Sequence, residues 1–134
     1  EQAALVHAIR EAERNSSGEI RIHVIRSSQE DLLAKGRSLF EKLGMTRTRD
    51  RNWILFLLEL SRRRFAILGD LGLHQKVPSE FWEEIRSLLF EHFRQGRFVE
   101  GLCAGISRCG EKLKAFYPYS SDDKNEVADE ITSE

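Results

Sequence analysis

Glu19, Asp50, Asn52 and Asp70 are the side chains whose types and positions could do chemistry in this sequence. Each stands at the end of a strand-like run. Glu19 opens EIRIHVIR at 19–26, Asp50 and Asn52 precede the apolar run WILFLLEL at 53–60, and Asp70 follows RFAILG at 64–69. Three carboxylates brought together repel, and a hard cation relieves that repulsion by bonding several oxygens at once, so the group suits Ca²⁺ or Mg²⁺. Ser16, Ser17, Thr46 and Thr48 lie close by and could add hydroxyl oxygens. Arg47, Arg49 and Arg51 alternate through the same polar stretch. They could face the oxygens of a phosphate or another anion, with a metal-bound water attacking. The plainer alternative is that Glu19 and Asp70 pair with Arg51 or another nearby arginine and cap backbone ends.

Other chemistries are poorly served. His23 and His74 have no nucleophile in a recognisable elbow, and the sequence has no GxSxG, P-loop or GxGxxG pattern. His23, with no second His or Cys nearby in sequence, reads as a half-buried strand residue. Cys103 and Cys109 fall in one predicted helix, about 9 Å apart along its axis at about 1.5 Å per residue. That is beyond disulfide reach, so they read as buried thiols, which favours a reducing compartment, and no CxxC or Cys/His spacing points to zinc. Arg62, Arg63 and Arg64 form a second basic cluster. No aromatic residue is interleaved with either arginine group in a base-stacking pattern, so both read as solvated loop charge rather than a nucleic-acid face.

The elements that must position these residues follow from patterning. The chain has 134 residues, 40% hydrophobic and 32% charged, enough for one domain with a core, expected over residues 1–118. From Tyr119 the segment YSSDDKNEVADEITSE holds six acidic residues and one lysine, and it reads as a disordered acidic tail. Its charge of −5 within an overall −1 leaves the body at +4. The run WILFLLEL fits a strand buried on both faces. Ser61-Arg62 after it makes a hairpin, so the third strand runs antiparallel to the second.

Between the first two strands a helix is expected over about Glu30 to Lys42, with Gly44 at its end, and its Gly36 implies close packing on the sheet. Strand, helix, strand in that order implies a right-handed crossover and parallel pairing. In the first strand Ile20, Ile22 and Val24 form the inward set, opposite Arg21, His23 and Ile25. Further helices are expected over 3–14, 79–95 and 98–116, the second of these introduced by Val77-Pro78, with Phe81 and Trp82 as core residues. The expected fold class is α/β, a three-layer α/β/α sandwich with a small mixed sheet of three to four strands and about four helices. These strand directions carry Glu19, Asp50, Asn52 and Asp70 to one rim.

The succession SGEIRIHV at 17–24, LGMTRTRDRN at 43–52, FAILGDLGLH at 65–74, VPSEFWEEI at 77–85 and GRFVEGLCAGISRCGEKL at 96–113 resembles the TPM domain family. That family is named for a thylakoid-lumen protein of photosystem repair and a nematode receptor modulator. The resemblance implies the same sandwich, divalent-cation binding (chiefly calcium) in some members, and the acid phosphatase activity attributed to the plant member. Gly18-Glu19, Asp50, Asn52 and Gly69-Asp70 are the motif positions that carry over. Trp53 stands where many relatives have Gly, a bulky side chain that would narrow the site.

The expected function is therefore a Ca²⁺- or Mg²⁺-binding interaction module, monomeric, with an unidentified protein partner of the membrane or envelope. A metal-assisted phosphomonoesterase and a structural adaptor without metal are the alternatives. No nucleic acid is expected as a partner. No run of about 18 apolar residues is present to span a membrane. A cytoplasmic location is expected, or a membrane tether carried by a segment preceding Glu1.

Overall fold

The computed structural model describes residues 2–45, 50–118 and 131–133 of the chain. Its elements in order are α1 (Gln2–Glu13), β1 (Glu19–Ile25), α2 (Leu32–Lys42), β2 (Trp53–Glu59), β3 (Arg64–Gly69), α3 (Leu71–Lys76), α4 (Ser79–Arg94), α5 (Phe98–Phe116) and β4 (Ile131–Ser133). The result is an α/β fold, a mixed four-stranded open sheet with five helices among the described residues, consistent with the expected sandwich.

Contacts divide the chain into two compact units. The sheet unit spans 19–75 and 125–134. Its strand order is β3-β2-β1-β4. β1 and β2 pair in parallel, Glu19 opposite Trp53 and Ile25 opposite Glu59, as the crossover requires. β2 and β3 pair antiparallel, Ile54 opposite Gly69 and Glu59 opposite Arg64. Every residue of β2 except Leu58 is buried, as its apolar run predicts.

The core of this unit joins α2 to one face of the sheet. Leu32, Leu39 and Phe40 of the helix pack with Ile25, Trp53, Leu55, Leu57, Ala66 and Met45. Asp31 caps α2, its carboxylate accepting the Ala34 backbone N–H at 3.2 Å. Gly36 lets the helix approach closely: a Cβ built there would lie 2.5 Å from Leu68 Cδ1.

β1 corrects the expected alternation. Arg21 and His23 are each 3% exposed, so the set opposite Ile20 and Ile22 is covered as well. Arg21 and His23 stand opposite Leu55 and Leu57, on the face that the crossover helix α2 covers, so that face is buried despite its polar residues. Arg21 is accommodated by placing its guanidinium carbon 6.0 Å from the centre of the Trp53 ring. His23 Nδ1 lies 2.6 Å from Thr132 Oγ1 of β4.

β4 corrects the reading of the last residues. Ile131–Ser133, inside the segment expected as a disordered tail, pairs in parallel with Ile22, His23 and Val24. α3 is a second element beyond expectation, since Leu71 to Lys76 was anticipated as a connection.

The helical unit spans 1–18 and 76–124 and holds α1, α4 and α5. α5 buries Leu102, Ile106, Cys109 and Leu113 along one side, and α4 buries Phe81, Trp82, Ile85 and Leu89. At Gly110 the backbone of α1 comes so near that an added Cβ would meet Ala12 Cα at 2.7 Å. Ser17 N–H donates to Tyr117 O at 2.9 Å and ties the end of this unit's first segment to the end of α5. Cys103 and Cys109 are both free, as their helical spacing predicts. No described helix is long and apolar enough to cross a membrane.

Candidate functional site

The sheet register brings the starts of β1 and β2 and the end of β3 to one edge. Glu19 stands opposite Trp53 across the parallel pair, and Asp70 N–H donates to Trp53 O at 2.8 Å on the antiparallel side. Glu19, Asn52 and Asp70 are buried, at 6%, 2% and 4% exposure, which is unusual for two acids and an amide and marks this edge. Asp50 is half-buried in the bend before β2. Arg47 and Arg49, with Thr46 and Thr48, lie outside the described residues.

Asp70 is held from several directions. Its Oδ1 accepts Arg51 Nε at 2.9 Å and the Leu71 backbone N–H at 2.7 Å, and Arg51 Nη2 lies 2.9 Å from the same oxygen. Its carbonyl accepts Leu73 N–H at 3.0 Å and His74 N–H at 3.2 Å, so the residue also opens the short α3. The other carboxylate oxygen, Oδ2, is buried with no hydrogen bond among the described residues. A buried anionic oxygen without a donor is destabilising unless something else meets it.

Arg51 reaches Asp70 from a constrained backbone. Its φ is 50°, in the left-handed region that favours glycine, and its carbonyl accepts Gly72 N–H at 2.8 Å. The guanidinium is the wetter partner, with the Arg51 side chain 37% exposed against 3% for Asp70.

Two parts of the expected rim change. Among the described residues no three His, Cys, Asp or Glu side chains come together as a metal-holding group, so Glu19, Asp50 and Asp70 share an edge without forming a three-carboxylate cage. The Ser16 hydroxyl is engaged in the helical unit, donating to Leu113 O at 3.1 Å and accepting Gly18 N–H at 3.0 Å. Trp53, expected to crowd the site, is 2% exposed and belongs to the α2-facing core, its Nε1–H buried without a hydrogen bond among the described residues.

A second buried carboxylate lies at the opposite end of the sheet. Glu59 is 1% exposed, Oε1 accepting Arg64 Nε at 2.7 Å and Oε2 accepting the Ser28 backbone N–H at 2.6 Å. Arg64's hydrogen bond outweighs burial and holds this carboxyl below the usual range. The alternating pattern around the hairpin gave no sign of this pair, because Glu59 falls within an apolar run. Both of its oxygens have donors, which makes it a structural clamp on the hairpin.

The sequence profile of the TPM domain matches residues 1–112. The chain belongs to the TPM domain family. This TPM domain is similar in structure to the BA42 protein of the psychrophilic bacterium Bizionia argentinensis, with a TM-score of 0.90 and 35% identity over 98% of this chain and 91% of that one. The N-terminal domain of a P. gingivalis protein shares the fold, with a TM-score of 0.73 and 20% identity over 89% of this chain and 78% of that one. So does the N-terminal domain of the cg2496 protein of Corynebacterium glutamicum, with a TM-score of 0.67 and 13% identity over 95% of this chain and 80% of that one. No curated protein matches. β4 lies beyond the residues that the family profile covers.

Proposed function

We propose that this TPM domain is a divalent-cation-binding module, taking Ca²⁺ or Mg²⁺ at the edge that carries Glu19, Asp50, Asn52 and Asp70. The observation that carries this reading is the buried Asp70 Oδ2, an anionic oxygen that no hydrogen bond from the described residues meets. Oxygen-rich donor sets of carboxylate and amide suit hard cations, which keep waters where protein ligands are few. Asp70 is the principal ligand, with Glu19 and Asn52 as its neighbours at the edge and Asp50 on the half-buried side. The bound ion would neutralise buried negative charge at this edge, which suits a module that engages a protein partner, including one at a membrane or envelope.

The Arg51–Asp70 ion pair favours a second reading, in which the domain is a structural adaptor and arginine alone balances the acid. A phosphomonoesterase would use the same edge, with Arg51 facing phosphate oxygens, and it rests on the family resemblance.

Titration of Ca²⁺, then Mg²⁺, into the metal-stripped chain, followed by backbone amide shifts, separates these readings. Saturable shifts centred on Glu19, Asp50 to Asn52 and Gly69 to His74, lost in Asp70→Asn, are the expected result. No localised shift at millimolar metal leaves the adaptor. Release of phosphate from a simple monoester, abolished by Asp70→Asn, would add the enzymatic role.

A further inference from the structure

We propose that Arg51 is a built-in competing cation: its guanidinium occupies the Asp70 carboxylate in the metal-free chain and must leave Oδ1 for a divalent ion to bind fully. The inference rests on the cation-binding reading above and adds a regulatory element to it.

Four observations support an exchange rather than a fixed pair. First, the two arginine nitrogens are both directed at one oxygen, with Nε and Nη2 each 2.9 Å from Oδ1, while Oδ2 is buried with no hydrogen bond. A side-by-side guanidinium–carboxylate contact would satisfy both oxygens and bind more strongly. Second, Asp70 Oδ1 keeps a donor if the guanidinium departs, because the Leu71 N–H at 2.7 Å stays on it, and the incoming ion replaces the lost positive charge. Third, the exposure is asymmetric. Asp70 is fixed in the interior and Arg51 reaches water, so the arginine can swing out without opening the core. Fourth, the backbone of Arg51 stays anchored during the exchange, since its carbonyl holds Gly72 N–H at 2.8 Å and only the side chain moves.

The consequence is a threshold. A vacant carboxylate would take any passing divalent ion, whereas one already carrying a guanidinium responds only when metal is abundant enough to displace it. Binding would also move a cationic side chain from the carboxylate into solvent, so the edge redistributes its positive charge as well as gaining that of the ion. That released arginine is the signal a partner could read.

The test compares full-length wild type with Arg51→Gln and Arg51→Gly in the same Ca²⁺ and Mg²⁺ titrations. Both variants remove the charge, and the glycine also suits the left-handed φ, so it guards against misfolding of the glutamine variant. Removal of a competing ligand is expected to tighten metal affinity about tenfold in both, within the usual range of coupling between two binding events. In the wild type the Arg51 side-chain Nε–H resonance should shift and lose its protection as metal saturates. Equal affinity in wild type and both variants overturns the proposal while leaving cation binding intact. Metal binding with an unchanged Arg51 Nε–H also overturns it. No binding in any of the three proteins removes the cation-binding reading itself.

Discussion

Gly110→Ala is a sharp test of how the helical unit is built. The substitution should help α5 locally, because alanine is favoured over glycine within a helix by about 1 kcal/mol. The structure opposes it. The new methyl carbon would stand 2.7 Å from both Ala12 Cα and Ala12 Cβ and 3.0 Å from Ala12 O. Carbon atoms in contact prefer about 3.5–4.0 Å, so α1 and α5 would have to part by about 1 Å at their closest point. Overpacking of this kind costs about 1–3 kcal/mol, and the upper end applies because the obstacle is backbone and cannot rotate away. The net loss is about 1–2 kcal/mol, or a fall in Tm of about 4–8 °C for a chain of this size.

Gly36→Ala provides the internal control. Its new methyl would meet Leu68 Cδ1 at 2.5 Å and Cδ2 at 2.8 Å, the far end of a side chain that can change rotamer. The helical gain and the repacking loss should nearly cancel, within about 0.5 kcal/mol of wild type. Urea unfolding followed by circular dichroism measures both. A Gly110→Ala protein at least as stable as wild type, or one less perturbed than Gly36→Ala, would refute the close-approach argument.

Three further outcomes are expected. Glu59 has a folded pKa below its ordinary value, so its contribution to stability is complete above the unfolded value of about 4.3 and fades as pH falls through the folded one; Glu59→Gln should flatten the acid limb of the stability curve, and an unchanged limb would exclude the Arg64 pair as its source. Trp53→Ala should lower stability by about 3–5 kcal/mol in the same unfolding assay, because the ring is 2% exposed within the α2-facing core. Burial raises the thiol pKa of both cysteines, much further for the fully buried Cys109 than for the partly exposed Cys103, so a maleimide counted by mass should modify Cys103 in the native chain and Cys109 only after denaturation.

The parts of the fold that were legible in the sequence are those governed by long patterns. The apolar run at 53–59, the Ser61-Arg62 turn and the helix between the first two strands determine the strand directions, and those directions carry Glu19, Asn52 and Asp70 to one edge. Short elements escaped for physical reasons. LGLHQK at 71–76 is under two helical turns, too brief for a periodic signal, and it is held by Asp70 accepting from the residues that follow. Ile131–Ser133 has one large apolar residue and is a strand only because β1 offers it a partner.

At the candidate site the sequence named the participants and offered their pairing without deciding for it. Arg51 and Asp70 are 19 positions apart, and their pair, which the structure shows, was named in the sequence only as the plainer alternative to a cation site. The left-handed backbone of Arg51 is invisible in residue type, since it is a position where glycine would be expected. The burial of Arg21 and His23 was missed because alternation was taken to mean one wet face, whereas the crossover helix α2 covers the face they share with Leu55 and Leu57.

The three-residue strand β4 has a practical consequence for anyone choosing where the chain should end. β1 carries the burial of an interior strand, yet without Ile131–Ser133 the backbone of Ile22, His23 and Val24 would line an open sheet edge. An exposed edge on a flat, apolar strand recruits other strands. A truncation after Pro118, the domain limit expected from the sequence, would therefore create a self-associating protein from one in which Ile131–Ser133 keep that edge closed.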